Sequence, residues 1–312
     1  MFLDYKILKY LRTLRRENDV SENLRGWEWY REPVRPITDM VKLSVADISN
    51  RYCSTMRDIY LKYVANINAR PSFSMIWGKA IHETFRSILE TARKMLTEGE
   101  IMTGSELLEK FYEDNIIEVT IDLVLKNILK DRGELDNSDS QFSKIRKACI
   151  NLAKFLLLQL ASKIDVELAK NRMSIDLASR VLPFFTEFKI DGSLIGLKDC
   201  LKVDILYHNI VIELKCGKPE PFHKLALTGY ALAIESDLEI PVDYGVLIYV
   251  NFSNGKLIPK IRVVPVVIDD ELRKEFLELR DSAMEIILHE RDPGLSESCP
   301  QDCPYITYCR GG

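Results

Sequence analysis

Lys202-Val203-Asp204-Ile205-Leu206-Tyr207-His208-Asn209-Ile210-Val211-Ile212-Glu213-Leu214-Lys215 is the stretch that decides the fold. Two β-rich runs flank His208-Asn209, a hairpin signal. With those two residues as the loop, Tyr207 faces Ile210, Leu206 faces Val211, Ile205 faces Ile212, and Asp204 lies directly opposite Glu213. Side chains alternate along a strand, so Lys215 joins the two carboxylates on one side. Val203, Ile205, Ile212 and Leu214 turn to the other, toward a helix layer. Opposed carboxylates have Cβ atoms ~4.5–5.5 Å apart and destabilise a sheet. A divalent cation between them removes that penalty, and hard oxygen ligands suit Mg²⁺ or Mn²⁺. Lys215 can then orient a water or stabilise charge on a phosphate oxygen. The plainer alternative is a solvated sheet face of mixed charge, and a one-residue slip would part the carboxylates.

Outward from the hairpin, the spacing predicts strands over Val181–Ile190, Tyr244–Asn251 and Lys256–Ile268, with the start of another at Leu194–Leu197. Asp191-Gly192-Ser193 and Asn254-Gly255 mark turns. Pro221–Glu235 and Asp269–Arg291 read as helices. Upstream the pattern is helical over Asp4–Glu17, Ser44–Ile48, Ser74–Met95, Ser105–Lys130 and Lys144–Lys170. Ser44 is the expected N-cap before Asp47. A polar loop, Asp131–Ser140, separates the last two helices. The fold class expected is mixed α/β (α+β), a central sheet flanked by helices. It divides into an N-terminal helical region (1–179), a sheet core with an embedded helix (180–268), and an acidic helix with a cysteine tail (269–312).

The composition is that of a soluble globular protein: 312 residues, 46% apolar, 29% charged, with no apolar run long enough for a signal peptide or a membrane span. A cytoplasmic location is expected. The net charge of −4 hides an asymmetry, because Asp269 to Asp292 holds nine acidic and four basic residues and leaves the remainder at +1. Lys6, Lys9, Arg12 and Arg15 recur every third residue on the first helix, either a solvated face or a phosphate-contacting edge.

Seven cysteines cannot all pair internally, and disulfides are rare in the cytoplasm of mesophiles. Cys299, Cys303 and Cys309 form Cys-x₃-Cys-x₅-Cys at the C-terminus, the spacing of a metal centre. Cys53, after the short helix, is the best fourth ligand. Four thiolates fit [4Fe–4S], [2Fe–2S] or zinc. Cys149, Cys200 and Cys216 have no such spacing and read as buried bystanders.

Together these residues resemble a known family. Asp204 followed by Glu213-x-Lys215 is similar to the core of the PD-(D/E)XK nucleases. Gly78-Lys79-Ala80-Ile81-His82 resembles the helical Gly-x-x-x-His motif of their RecB branch, in which the His is a metal ligand. Tyr230 resembles the tyrosine of the helix after the Glu-x-Lys strand, and Glu187 fits a recurring acidic position. One cysteine far upstream with three at the C-terminus resembles the RecB-type nucleases that carry an iron–sulfur cluster. The chain's length and lack of a helicase motif favour their CRISPR-associated exonucleases over the AddB-like helicase-nucleases. Two features mark a divergent branch: the x₃ tail spacing where members often have x₂, and Ala226 where the family often has Gln. His223 and Lys224 are the neighbours that could take that Gln's role.

The resemblance implies a metal-dependent exonuclease acting on single-stranded DNA ends, trimming DNA before its integration into a CRISPR array alongside integrase proteins. His82, Asp204, Glu213 and the Leu214 carbonyl would hold Mg²⁺ or Mn²⁺, with Lys215 and Tyr230 completing the catalytic set. An iron–sulfur cluster on Cys53, Cys299, Cys303 and Cys309, [4Fe–4S] ahead of [2Fe–2S], would tie the tail back to the N-terminal region. A homo-oligomer is compatible with this; a membrane partner is not. Two other readings stand beside it: a DNA-end-binding scaffold of the same fold with weak catalysis, motivated by Ala226, and a zinc-stabilised interaction module.

Overall fold

The hairpin forms in the expected register, with Tyr207 opposite Ile210, Leu206 opposite Val211 and Ile205 opposite Ile212. The computed structural model describes residues 5–17, 20–69, 71–99, 103–130, 140–170, 174–182, 184–253, 255–301 and 303–311. Five strands make one sheet in sequential order: β1 Phe185–Ile190, β2 Leu201–Tyr207, β3 Ile210–Cys216, β4 Tyr244–Phe252 and β5 Pro259–Val267. Neighbours are antiparallel except β3 and β4, which run parallel. Pro259 and Pro265 are tolerated in β5 because it is an edge strand.

Helices α1 Tyr5–Glu17, α2 Val45–Ser49, α3 Arg57–Ile59, α4 Phe73–Thr97, α5 Gly104–Glu113, α6 Ile116–Lys130, α7 Ser140–Leu168 and α8 Ser174–Val181 precede the sheet. Helix α9, Lys224–Leu238, crosses from β3 to β4, and α10 Asp270–Leu288 and α11 Ile306–Arg310 follow β5. A parallel pair needs such a crossover. Ser44 caps α2 in a capping box with Asp47. No described helix is long and apolar enough to cross a membrane.

Two cores sandwich the sheet. On one face Ile205, Ile212, Leu214, Val246 and Ile248 pack with Ile81, Phe85 and Ile88 of α4 and with Leu152 and Leu156 of α7. On the other, Val211, Leu247 and Tyr249 pack with α2, α9 and α10. Almost all of α9 is buried. Its Gly229 lies so close to α10 that a Cβ there would meet the Phe276 ring at 2.6 Å.

The strict alternation expected along β2 fails at one point. Val203 packs in the second core with Leu201 and Leu206, whereas Ile205 packs in the first. The β1–β2 ladder skips the pair Glu187·Asp204, and Glu187 is held at φ 52°. Both strands therefore turn over by one residue at the position of a candidate carboxylate. Period-two reading cannot anticipate a slip shared by two paired strands, because their mutual register is unchanged.

Other departures have local causes. The strand expected from Val181 begins only at Phe185; Ser174–Val181 is helical, and Leu177, Val181 and Leu182 are buried in the helical core. Leu194–Leu197 is a tight turn closed by Gly196 at φ 78°, with a single bridge from Leu197 to Leu43. The helix expected over Ser105–Lys130 breaks at Asn115, whose φ of 51° ends α5 and starts α6. Asparagine tolerates that conformation better than most residues. Asp4, positions 131–139 of the polar loop and Asn254 lie outside the described residues.

The acidic helix α10 hides two cations. Arg273 and Arg280, two turns apart, are fully buried. Arg273 forms a two-pronged pair with Glu235 of α9 at 2.7 and 2.9 Å and donates to the carbonyls of Leu24, Val242 and Ile268. Glu235 also accepts from Arg25 at 2.8 Å and from the backbone N–H groups of Gly26 and Val242. Arg280 donates to the carbonyls of Val34 and Ile195. Removing one partner of a buried, saturated pair strands the other, at a cost of ~3–5 kcal/mol. Arg273→Met should lower the free energy of urea unfolding by about that much; a change within error would show that the pair is dispensable.

Candidate active site

Asp204, at the turn-over of β2, accepts a hydrogen bond from the Leu214 N–H at 2.8 Å, so its carboxylate bridges the hairpin where a ladder pair would fall. Its other oxygen lies 3.3 Å from Nδ1 of His82. His82 comes from α4, which Ser72 caps by accepting from the Met75 N–H. Across the hairpin, Glu213 is only 6% exposed. Lys215 donates to its Oε1 at 3.0 Å, while Oε2 is buried without a hydrogen-bond partner. The fold thus brings His82, Asp204, Glu213 and Lys215 to one place, as the sequence predicts. Tyr230 of α9 lies within electrostatic reach of Glu213, Asp204 and Glu187.

The charges work against one another. Burial and the neighbouring Asp204 carboxylate push the Glu213 carboxyl up to about 7. Asp204 itself is held below the usual range, because His82, the Leu214 N–H and Lys215 together outweigh its burial. Burial opposes the charged form of His82, yet Asp204 and then Glu213 raise it to about 8. Burial and the same carboxylates push the Tyr230 hydroxyl well above its ordinary value. Of the two, Asp204 is the carboxylate that keeps its charge and Glu213 the one that yields.

Hard anionic oxygens, one of them buried and partnerless, beside an imidazole are a donor set that a divalent cation fits. As they stand these groups bond one another, and among the described residues no three His, Cys, Asp or Glu side chains converge closely enough to hold an ion.

Cys53, Cys299, Cys303 and Cys309 line one cavity, and the Cys303 thiol, raised first by burial, also feels the other three. The tail is drawn to the Cys53 loop by protein contacts as well. Arg57 makes a two-pronged pair with Asp292 at 2.7–3.1 Å, Thr55 donates to the Gly294 carbonyl at 2.9 Å, and the Ser54 and Ser296 hydroxyls are 2.8 Å apart. Four thiols have the chemistry of a zinc or iron–sulfur donor set, but here they share a cavity wall without converging closely enough to hold an ion. Of the remaining cysteines only Cys149 is fully buried; Cys216 is half-buried and Cys200 is exposed, which corrects the expectation of three buried bystanders.

Of the basic stripe, Lys6, Lys9 and Arg12 are exposed, whereas Arg15 pairs with Asp243 at 3.0 Å; α1 runs beside β5. Ala226 is buried in the core of α9. His223 is buried too, bonded to the Tyr249 hydroxyl at 3.1 Å and the Tyr52 hydroxyl at 3.3 Å. Tyr52 and Tyr249 both lie within electrostatic reach of Lys215, although neither belongs to a spaced motif.

A family model described as CRISPR-associated exonuclease Csa1 matches residues 1–312, the whole chain. The chain belongs to the CRISPR-associated exonuclease Csa1 family. It is 33% identical to a curated CRISPR-associated exonuclease Csa1 of Saccharolobus solfataricus over 93% of this chain and 92% of that protein. It is 30% identical to another of the same description from Thermoproteus tenax, over 97% of this chain and 99% of that protein. The resemblance to CRISPR-associated exonucleases is therefore correct, and the Csa1 likeness extends through the helical stretch between residues 97 and 180.

The pairing of His82 with Asp204 can be measured directly. An imidazole titration followed by NMR on metal-free protein should place His82 at about 8, above the ordinary 6.5. Its stabilising contribution is then complete below pH 6.5 and lost as pH rises through about 8. In Asp204→Asn the value should fall; no change would mean that the two side chains do not meet in solution.

Proposed function

We propose that this protein is a metal-dependent deoxyribonuclease of the PD-(D/E)XK type, an exonuclease acting on single-stranded DNA ends in processing DNA for CRISPR spacer acquisition. The relatives' description as CRISPR-associated exonucleases supports the activity class. The observation that carries the mechanism is the buried, partnerless Oε2 of Glu213 beside Asp204. A folded protein keeps such an oxygen where a cation completes it.

Asp204, Glu213, His82 and the Leu214 carbonyl would hold Mg²⁺ or Mn²⁺. A divalent cation there supplies Lewis-acid polarisation of a scissile phosphate and favours ionisation of water. Lys215, fixed 3.0 Å from Glu213, would place its ammonium against the phosphate oxygens as charge develops. Tyr230, kept protonated by burial and by the neighbouring carboxylates, would donate a hydrogen bond at the site. Cys53, Cys299, Cys303 and Cys309 would hold a structural iron–sulfur cluster, [4Fe–4S] ahead of [2Fe–2S]. Partners are then single-stranded DNA and the integrase proteins of CRISPR adaptation.

A scaffold reading has one observation in its favour: Ala226 is buried and apolar, so it does not supply the polar group that the family's Gln provides, although His223 lies within electrostatic reach of Lys215. End-labelled single-stranded DNA with Mn²⁺ separates the two. Wild type should degrade it and Glu213→Ala should be at least 100-fold slower, on the order of one lost catalytic interaction. Equal rates would remove the catalytic assignment, and binding without degradation by wild type would leave the scaffold. Anaerobically purified protein should be brown, absorbing at about 400 nm as iron–sulfur proteins do, and Cys303→Ser should lose the colour together with iron. A colourless protein containing zinc would overturn the cluster.

A further inference from the structure

Gly78 stands inside α4, one helical turn before His82 and so on the same side of the helix. A glycine inside a helix destabilises it relative to alanine and is normally retained for packing or for a left-handed conformation. Neither reason applies. Gly104 and Gly229, also within helices, are pressed against Ala161 and Phe276 respectively, and Gly245 in β4 against Leu227. A Cβ on Gly78 would meet nothing within 4 Å, and its φ is not positive. Among the described residues, the space beside it is open.

A cavity of about 1180 Å³ lies against the preceding turn and includes Tyr52, Phe73, Trp77, Lys144, Lys218 and Phe252 in its walls. The four thiols line the same cavity, so the part open to a ligand is the stretch along Tyr52, Phe73, Trp77 and Phe252. It opens at the carboxyl ends of the parallel strands β3 and β4, where Cys216-Gly217-Lys218 continue directly from Lys215. Trp77 stands half-buried at its edge, 5.5 Å from Phe252 at right angles and 5.9 Å from Phe73, with the Lys144 ammonium 5.9 Å from its ring centre. The wall's acidic residues are Asp47, Asp58 and Glu220: Asp47 is taken up by Lys62 and Tyr63, Asp47 and Asp58 lie within electrostatic reach of Tyr305 in the cysteine tail, and Glu220 stands two residues from Lys218.

Aromatic faces interleaved with lysines are the chemistry of single-stranded nucleic-acid binding, because every base offers a face to stack and every linkage a phosphate to neutralise. We infer that the first turns of α4 form a base-stacking subsite for single-stranded DNA. Trp77, buttressed by Phe73 and Phe252, stacks a base; Lys144 and Lys218 take phosphates; and Gly78 leaves room for the strand to pass on to Asp204, Glu213 and Lys215. The inference rests on reading the carboxylate site as a DNA nuclease, and it assigns the segment that delivers substrate to it.

The test is binding of end-labelled oligothymidylate to the full-length chain by fluorescence anisotropy, with the Glu213→Gln substitution in every variant to prevent degradation. Trp77→Ala should weaken binding about five- to a hundredfold, the range of one lost base stack, and Trp77→Phe should recover most of it. Gly78→Ala should unfold at a higher temperature than the parent and yet bind more weakly, a combination that a purely structural glycine does not produce. Should Trp77→Ala fail to fold, Trp77→Phe and Gly78→Ala carry the test. Unchanged affinity in both Trp77→Ala and Gly78→Ala would overturn the subsite, as would absence of oligothymidylate binding by the parent. A Glu213→Ala protein that still degrades DNA would remove the nuclease reading alone, since the binding measurements decide the subsite separately.

Discussion

A carboxylate and a guanidinium with no access to solvent have to find every hydrogen bond inside the protein. Glu235 and Arg273 do so by drawing on five parts of the chain: α9, α10, the turn before β4, the end of β5, and the segment around Leu24–Gly26. Arg280 repeats the arrangement two turns along α10, against the carbonyls near Val34 and at Ile195. These cations hold the irregular N-terminal segment against α9 and α10. Apolar residues of the same bulk could supply as much stability, but they would not specify which carbonyls meet which helix.

That rigidity on one face of the sheet supports a conflict at its centre. Asp204 and Glu213 are placed together with too few donors, and the fold answers by letting Glu213 hold a proton near neutral pH. The turn-over of β1 and β2 is what makes the crowding geometrically available, since it brings Asp204 to His82 of α4 while the neighbouring Val203 packs in the opposite core. Local strain and unmet polar groups concentrate where a chain acts on other molecules, and the surrounding packing has to over-determine them.

The hairpin, its register and the helix bearing His82 were legible because each rests on local periodicity and a short turn. The Cys53 loop and the tail were matched by counting thiols, and the contacts of Thr55 and Arg57 with Gly294 and Asp292 bring them together independently. What escaped was tertiary. Arg273 and Arg280 sit in a helix whose composition is that of a solvated surface, and only the facing carbonyls explain their burial. Arg15 belongs to an evenly spaced stripe but is claimed by Asp243, which is distant in sequence. Val181 and Leu182 fit either period, so the expected strand starts at the end of α8, and the helical core decides between them. The turn-over at Asp204 leaves no trace in a single sequence.

The contacts of Arg57 with Asp292 and of Thr55 with Gly294 also order events during synthesis. The hairpin with both carboxylates has left the ribosome long before α10 and the tail exist, yet the N-terminal segment finds its buried cations and its C-terminal clasp only when they do. A nascent chain therefore carries the chemical groups of the site without the walls around them. Closure of the protein around the site therefore waits on residues synthesised after the hairpin.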